Sequence, residues 1–238
     1  MKKVSFILLS FISLFACKSD EIIEASNDDM EIEQPQNYNL LSLGDSYTIG
    51  QSVCDTCRFP EQLKHRLSTS FDNEDTYNLN VIAQTGWTTT DLIAAIVNEN
   101  LGNNYDLVTL LIGVNNQYQN DSFSLYEDEF PELVNTAITL AKNDKNNLIV
   151  ISIPDYAYTP FGQGNGNPEI TSQEIDMYNT FAENYCMQQN ITFVNITDIT
   201  RNGLDNTALV ASDGLHPSEL AYSLFVERLL PIAISKIQ

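Results

Sequence analysis

The sequence predicts an α/β protein, with about five parallel strands in one sheet and helices on both of its faces. Three observations predict it. Five short apolar runs alternate with stretches of helical periodicity. The third and fourth runs are apolar almost throughout, as strands buried on both faces require. Four runs end at Gly44, near Gln84, at Gly113 and at Pro154, so the loops after them share one edge of the sheet. Open α/β sheets place their ligands at that edge.

The elements follow in order. Residues 40–43 are the end of a buried strand, and Gly44 permits a sharp turn that delivers Ser46. Pro60 suits the first turn of a helix whose face is Phe59, Leu63, Leu67 and Phe71. Residues 77–83 alternate as a second strand, and Thr88 with Asp91 opens a helix through Val97. Residues 107–112 form a third strand, followed by a polar loop over 113–121. Ser124 and Glu127 read as a capping box for a helix reaching Lys142. Residues 148–153 are the fourth strand and 154–170 a long Gly, Pro and Tyr-bearing loop. Thr171 and Glu174 cap the next helix, 192–196 are the fifth strand, and a last helix starts near Ser218, with Pro231 expected to kink it. There is no internal repeat and no second domain.

The first residues stand apart. Lys2 and Lys3 precede an apolar run over 4–15 that is too short to span a bilayer as a helix. Leu14-Phe15-Ala16-Cys17 follows, similar to a bacterial lipobox. The expectation is a signal peptide over 1–16, lipidation at Cys17, and a membrane anchor on an exported, outer-membrane or surface lipoprotein. Ordinary secretory cleavage nearby is the competing reading. Residues 17–37 are polar and acidic and read as a lipidated, disordered tether, with the folded domain over 38–238.

Composition narrows the partners. A formal charge of −21 argues against nucleic acid and against attraction to anionic membrane surfaces. Cys54 and Cys57 have redox-motif spacing, but an exported protein favours a structural disulfide. No further ligands at suitable spacing support zinc or another metal there.

Ser46 at that ligand-binding edge is either a helix-capping residue or a nucleophile. The chain has two histidines, and His65 lies off the apolar stripe of its helix between Lys64 and Arg66. A histidine base is therefore His216. In Asp213-Gly214-Leu215-His216-Pro217, Asp213 can reach back to the His216 Nδ1 and leave Nε2 free to take a proton. Gly86 and Asn115 each follow a strand and offer a backbone and a side-chain N–H for a developing oxyanion. Each has an ordinary reading as a turn residue. Asp45 reads as structural, bonding backbone amides of its loop.

Together, Gly44-Asp45-Ser46, Gly86, Gly113-Val114-Asn115 and Asp213 with His216-Pro217 resemble the four blocks of the SGNH (GDSL) hydrolase family. The resemblance covers residues 39–236 and lacks the Gly-x-Ser-x-Gly elbow of α/β-hydrolases. It implies a flavodoxin-like three-layer α/β/α fold. It implies Ser46 as nucleophile, His216 as general base and then acid, and Asp213 as its orienting partner. The oxyanion hole it implies is the Ser46 and Gly86 N–H groups with the Asn115 amide, and no cofactor is required. One departure is Asn116, where many members carry Asp, which leaves the hydrogen bonding beside the hole open.

The implied activity is hydrolysis of a small-molecule ester, with short acyl esters or O-acetylated carbohydrate favoured because no extended apolar lid is evident. A lysophospholipase or thioesterase-like lipid hydrolase is the alternative. A glycan-binding lipoprotein with an inactive site is the reading from outside enzymology. Trp87, Tyr118, Tyr156, Tyr158 and Phe161 are candidates for a substrate wall, against the plainer reading that they pack their loops onto the domain.

Overall fold

Five strands, β1 (Asn37–Gly44), β2 (Thr76–Ala83), β3 (Leu107–Leu111), β4 (Leu148–Ile151) and β5 (Thr192–Val194), form one sheet in the order β2-β1-β3-β4-β5. Every pairing is parallel. This computed structural model describes residues 34–70 and 74–237, all but the first of which belong to one compact unit, Pro35–Gln238. The expected signal peptide, the Cys17 lipidation site, nearly all of the tether, and Phe71 lie outside the described residues.

Nine helices among the described residues surround the sheet in a three-layer α/β/α arrangement. They are α1 (Ser46–Ile49), α2 (Phe59–Ser68), α3 (Thr89–Glu99), α4 (Val114–Tyr118), α5 (Phe123–Leu140), α6 (Pro160–Gly164), α7 (Pro168–Gln189), α8 (Thr197–Thr200) and α9 (Glu219–Ile237). α2 packs on α9, while α5 packs on α3 and α7. The α5–α7 seam is aromatic, with Phe123, Tyr126, Phe130, Tyr178 and Phe181 in mutual edge and tilted contacts. No described helix is long and apolar enough to cross a membrane.

Sequence and position agree strand by strand. β3 and β4 are buried at every residue, which is why they read as continuous apolar runs. β2 alternates because it is an edge strand with one covered face. The two hydroxyls inside the sheet satisfy each other, Thr109 Oγ1 donating to Ser42 Oγ at 2.8 Å.

Three expectations change. The polar loop over 113–121 contains α4, a single helical turn entered from Gly113 at φ +127°. The helix expected from Ser124 is capped two residues earlier, where the Ser122 hydroxyl accepts from Leu125 N–H. The loop over 154–170 holds a 3₁₀ turn at Tyr156–Tyr158 and α6, and α7 starts at Pro168 under an Asn167 cap rather than at Thr171. Short turns with mixed composition carry no periodicity, so the sequence conceals them. α9 runs on through Pro231.

The register sets up the site. Gly44 is paired with Ala83 on one side and Leu111 on the other, so β1, β2 and β3 stop at one level. Gly44 is required there by space. A Cβ would lie 2.2 Å from Thr48 Oγ1 and 2.4 Å from the Leu111 carbonyl oxygen, a backbone atom that cannot move away. Gly44→Ala is expected to lower stability by about 1–3 kcal/mol or more in urea unfolding. An unchanged midpoint would show that the turn has slack.

Candidate active site

Ser46 begins α1, directly beyond β1. Asp45 caps that helix, its Oδ1 accepting from Tyr47 N–H at 3.0 Å. Four residues later Gly50 closes the helix in the left-handed region at φ +79°. The serine is thus held by a strand, a cap and a tight exit. Among the described residues its Oγ makes no hydrogen bond, to His216 or to any other group, which leaves it available in a cavity it lines. Catalytic contacts of this kind commonly close only with substrate bound.

Asp45 is fully buried, and its Oδ2 has no partner among the described residues. Burial pushes its carboxyl up to about 7 despite the Tyr47 amide.

His216 is presented by a short turn. Gly214 at φ +74° allows the chain to fold back, so that Asp213 Oδ1 accepts from Leu215 N–H at 2.9 Å and His216 N–H at 3.0 Å. Asp213 Oδ2 then sits 2.6 Å from His216 Nδ1. Donation from Nδ1 leaves Nε2 as the acceptor nitrogen. Burial raises the Asp213 carboxyl, but hydrogen bonds from Ser52, His216 and the two amides outweigh it and hold it well below the usual carboxylate range. The imidazole meets the Tyr47 ring edge-on at 5.7 Å, and the His216 carbonyl accepts from Ala211 N–H at 2.7 Å.

Gly86 and Asn115 reach the same cavity from the ends of β2 and β3. Gly86 lies at φ +89° with nothing within 4 Å of where a Cβ would project, so its backbone is open. Asn115 Nδ2 donates to the Trp87 carbonyl at 2.9 Å, which fixes the amide and leaves its second N–H unspent. Gln119 Nε2 donates to the Gly86 carbonyl at 2.9 Å and ties the two segments together.

The bonding around Asn116 is also defined. Its Oδ1 accepts from Thr89 N–H and its Nδ2 donates to Thr89 Oγ1, whose own proton goes to Glu129 Oε2. An amide suits that position, because a carboxylate could not donate to a hydroxyl already committed to Glu129.

The cavity is about 310 Å³ and is walled by Tyr47, Thr85, Val114, Tyr118, Tyr156, Phe161 and Leu215 besides Ser46, Gly86, Asn115 and His216. Three of the five expected wall aromatics are therefore together: Tyr118 packs on Tyr156 at 6.0 Å and on Phe161 at 6.2 Å. Tyr156 is oriented from behind by its hydroxyl bond to Gln117, which in turn donates to Glu174. The other two do not line the cavity. Trp87 contributes its carbonyl to Asn115, and the Tyr158 ring lies under the Arg201 guanidinium at 5.9 Å. Their sequence neighbourhood predicts the loop but not the side of it they occupy. Tyr47, Val114 and Leu215 carried no signal of their own, except that each adjoins an expected site residue.

Away from the cavity mouth, Cys54 and Cys57 form a disulfide with Cα atoms 5.0 Å apart, whereas Cys186 is a buried free thiol. His65 is exposed on α2. No group of metal-ligating side chains occurs among the described residues.

The segments that carry Ser46, Gly86, Asn115, Asp213 and His216 all fall inside one family match. The model of the GDSL-like lipase/acylhydrolase family matches residues 42–224. The chain belongs to this family. Solved structures similar to it share the fold at low identity. An α/β hydrolase enzyme from the metagenome of Lake Arreo, Spain, is 18% identical with a TM-score of 0.63, covering 86% of this chain and 98% of its own. An acetylxylan esterase from Geobacillus stearothermophilus is 19% identical with a TM-score of 0.59, covering 84% and 95%. A lipase/acylhydrolase from Enterococcus faecalis is 19% identical with a TM-score of 0.60, covering 82% and 94%. No curated protein matches the chain.

The buried Asp45 generates a prediction. Its folded value is raised above that of an unfolded aspartate, about 3.9. Between the two, the folded state keeps a proton that the unfolded state releases, so stability falls as pH rises from about 4 through 7. Asp45→Asn retains an acceptor for Tyr47 N–H and removes that fall. Urea unfolding at pH 4.5 and 8 is expected to show the variant gaining on the wild type at the higher pH. A difference independent of pH would contradict the assignment.

Proposed function

We propose that this GDSL-family protein is a serine ester hydrolase that works through an acyl-enzyme. One observation carries the reading: His216, held by Asp213 at 2.6 Å, opens with Ser46, Gly86 and Asn115 onto a single cavity. In the proposed cycle Ser46 Oγ attacks the ester carbonyl while His216 Nε2 accepts its proton. The oxyanion is met by the Ser46 and Gly86 N–H groups and the free N–H of Asn115. His216 returns the proton to the leaving alcohol, then activates the water that clears the acyl group. Asp213 remains a carboxylate throughout and stabilises the imidazolium.

The substrate reading rests on the cavity walls. About 310 Å³ lies at the small end of ligand sites, which suits a short acyl group. The walls are mostly aromatic and aliphatic and include no lysine or arginine, and the chain carries a charge of −21. Anionic alcohols such as phosphate esters are disfavoured there. Uncharged esters, with O-acetylated carbohydrate as a candidate, fit better, and the Tyr118 ring at the rim is 47% exposed and can stack on a sugar face. The similar acetylxylan esterase supports that choice. Attachment to a membrane through Cys17 belongs to the same proposal and rests on the sequence alone.

Two variants test the chemistry with p-nitrophenyl acetate. Ser46→Ala is expected to lower turnover by about 10⁴-fold or more with the fold intact by circular dichroism. Asn115→Ala is expected to lower kcat by about 10²-fold or more. Full activity in the first variant would overturn the mechanism. A change confined to KM in the second would make Asn115 a binding residue.

A further inference from the structure

Asp213 is held by more than its own turn. Ser52 Oγ donates to Asp213 Oδ2 at 2.6 Å, across 161 residues of sequence, on the same oxygen that faces His216 Nδ1. Ser52 belongs to the loop that leaves α1. That loop starts at Gly50, which lies against Arg58, and is closed by the Cys54–Cys57 disulfide. Its far end is fastened by Gln62 Nε2 on the Cys57 carbonyl and by Arg58 Nη1 on the Ile49 carbonyl. Gln51, beside Ser52, accepts from Thr85 Oγ1 at 2.7 Å, next to Gly86. One loop therefore touches the acid and the oxyanion-hole segment, having started from the serine.

Ser52 adopts φ +70°. That region suits glycine or asparagine and costs a serine backbone energy. The chain nevertheless places there a residue with a hydroxyl, aimed at the carboxylate.

We propose that Ser52 acts on His216 through Asp213: its hydroxyl, carried on the disulfide-closed loop, shares the Oδ2 that faces the imidazole and tempers the pull of that oxygen on the imidazolium. The inference deepens the esterase reading, and its kinetic arm rests on that reading. The physical effect is definite. A donated hydrogen bond draws charge from Oδ2, so its removal makes the carboxylate a stronger partner for an imidazolium. Asp213 stays anchored through Oδ1 by the Leu215 and His216 amides, so it does not swing away.

Other titratable groups face this pair. They are Asp45 and Tyr47 at the Ser46 turn, Asp155 and Tyr156 beyond β4, and Tyr222 of α9. Asp155 is paired with Arg201 at 2.9 Å, and burial pushes the three tyrosines up. Burial pushes the Asp45 carboxyl up to about 7, so the difference between wild type and variant is the readout.

The test uses Ser52→Ala and Ser52→Gly. The glycine variant removes the hydroxyl while relieving φ, and so separates the side chain from backbone strain. The chain has only two histidines, and NMR of their ring protons follows His216 with exposed His65 as internal reference. Both variants are expected to raise the His216 titration midpoint by about half a pH unit or more and leave His65 unmoved. The acidic limb of kcat/KM is expected to move the same way. An unchanged or lowered His216 midpoint in both overturns the proposal, as does a shift in Ser52→Ala alone. The NMR arm needs no turnover, so failure of the esterase reading is seen separately, as absent ester cleavage with the titration shift intact.

Discussion

The site depends on one carboxylate. Asp213 receives two backbone amides on one oxygen and the His216 ring and Ser52 hydroxyl on the other. Each bond favours the ionised form, and together they overcome the cost of partial burial. A carboxylate so held keeps its charge across the working pH range. It also fixes the imidazole ring and the nitrogen that carries the proton. The α1 exit loop, reaching Asp213 through Ser52, links the two ends of the chain.

That convergence follows from the sheet. Parallel strands in register end at one level, and three residues of the proposed site lie two to four positions beyond those ends. Ser46, Gly86 and Asn115 are brought together because Gly44, Ala83 and Leu111 are neighbours in the ladder. β4 adds the aromatic wall through Tyr156 and Phe161. Asp213 and His216 come from the turn before α9, whose Val210–Pro217 bridge closes it. The carboxylates of Asp213 and Asp45 are treated in opposite ways. Asp213 is saturated with donors and stays charged, while Asp45 has one unpartnered oxygen in a dry turn and binds its proton up to neutral pH. The contrast separates a group suited to orient an imidazole from one that caps a helix.

Much of this was legible in the chain. The continuous apolar runs at 107–111 and 148–151 announce buried parallel strands, and the glycine or proline after each marks where the sheet edge begins. Asp213 and His216 are legible because their interaction is local, three residues apart around Gly214. What was not legible has a common cause. Ser52 lies 161 residues from its partner, and no pattern in a single sequence reports a contact of that range. The split of the aromatics is similar: the loop predicts Tyr156 and Tyr158 equally, and only the 3₁₀ turn decides that one faces the cavity and the other Arg201. α4 and α6 are too short for periodicity to reveal.

The central claim, a nucleophilic serine activated by the Asp213–His216 pair, is tested most directly by treating the folded domain with a fluorophosphonate and mapping the adduct by peptide mass spectrometry. The account predicts a single adduct on Ser46 that is lost in His216→Ala. No adduct, or one on another residue, would contradict it.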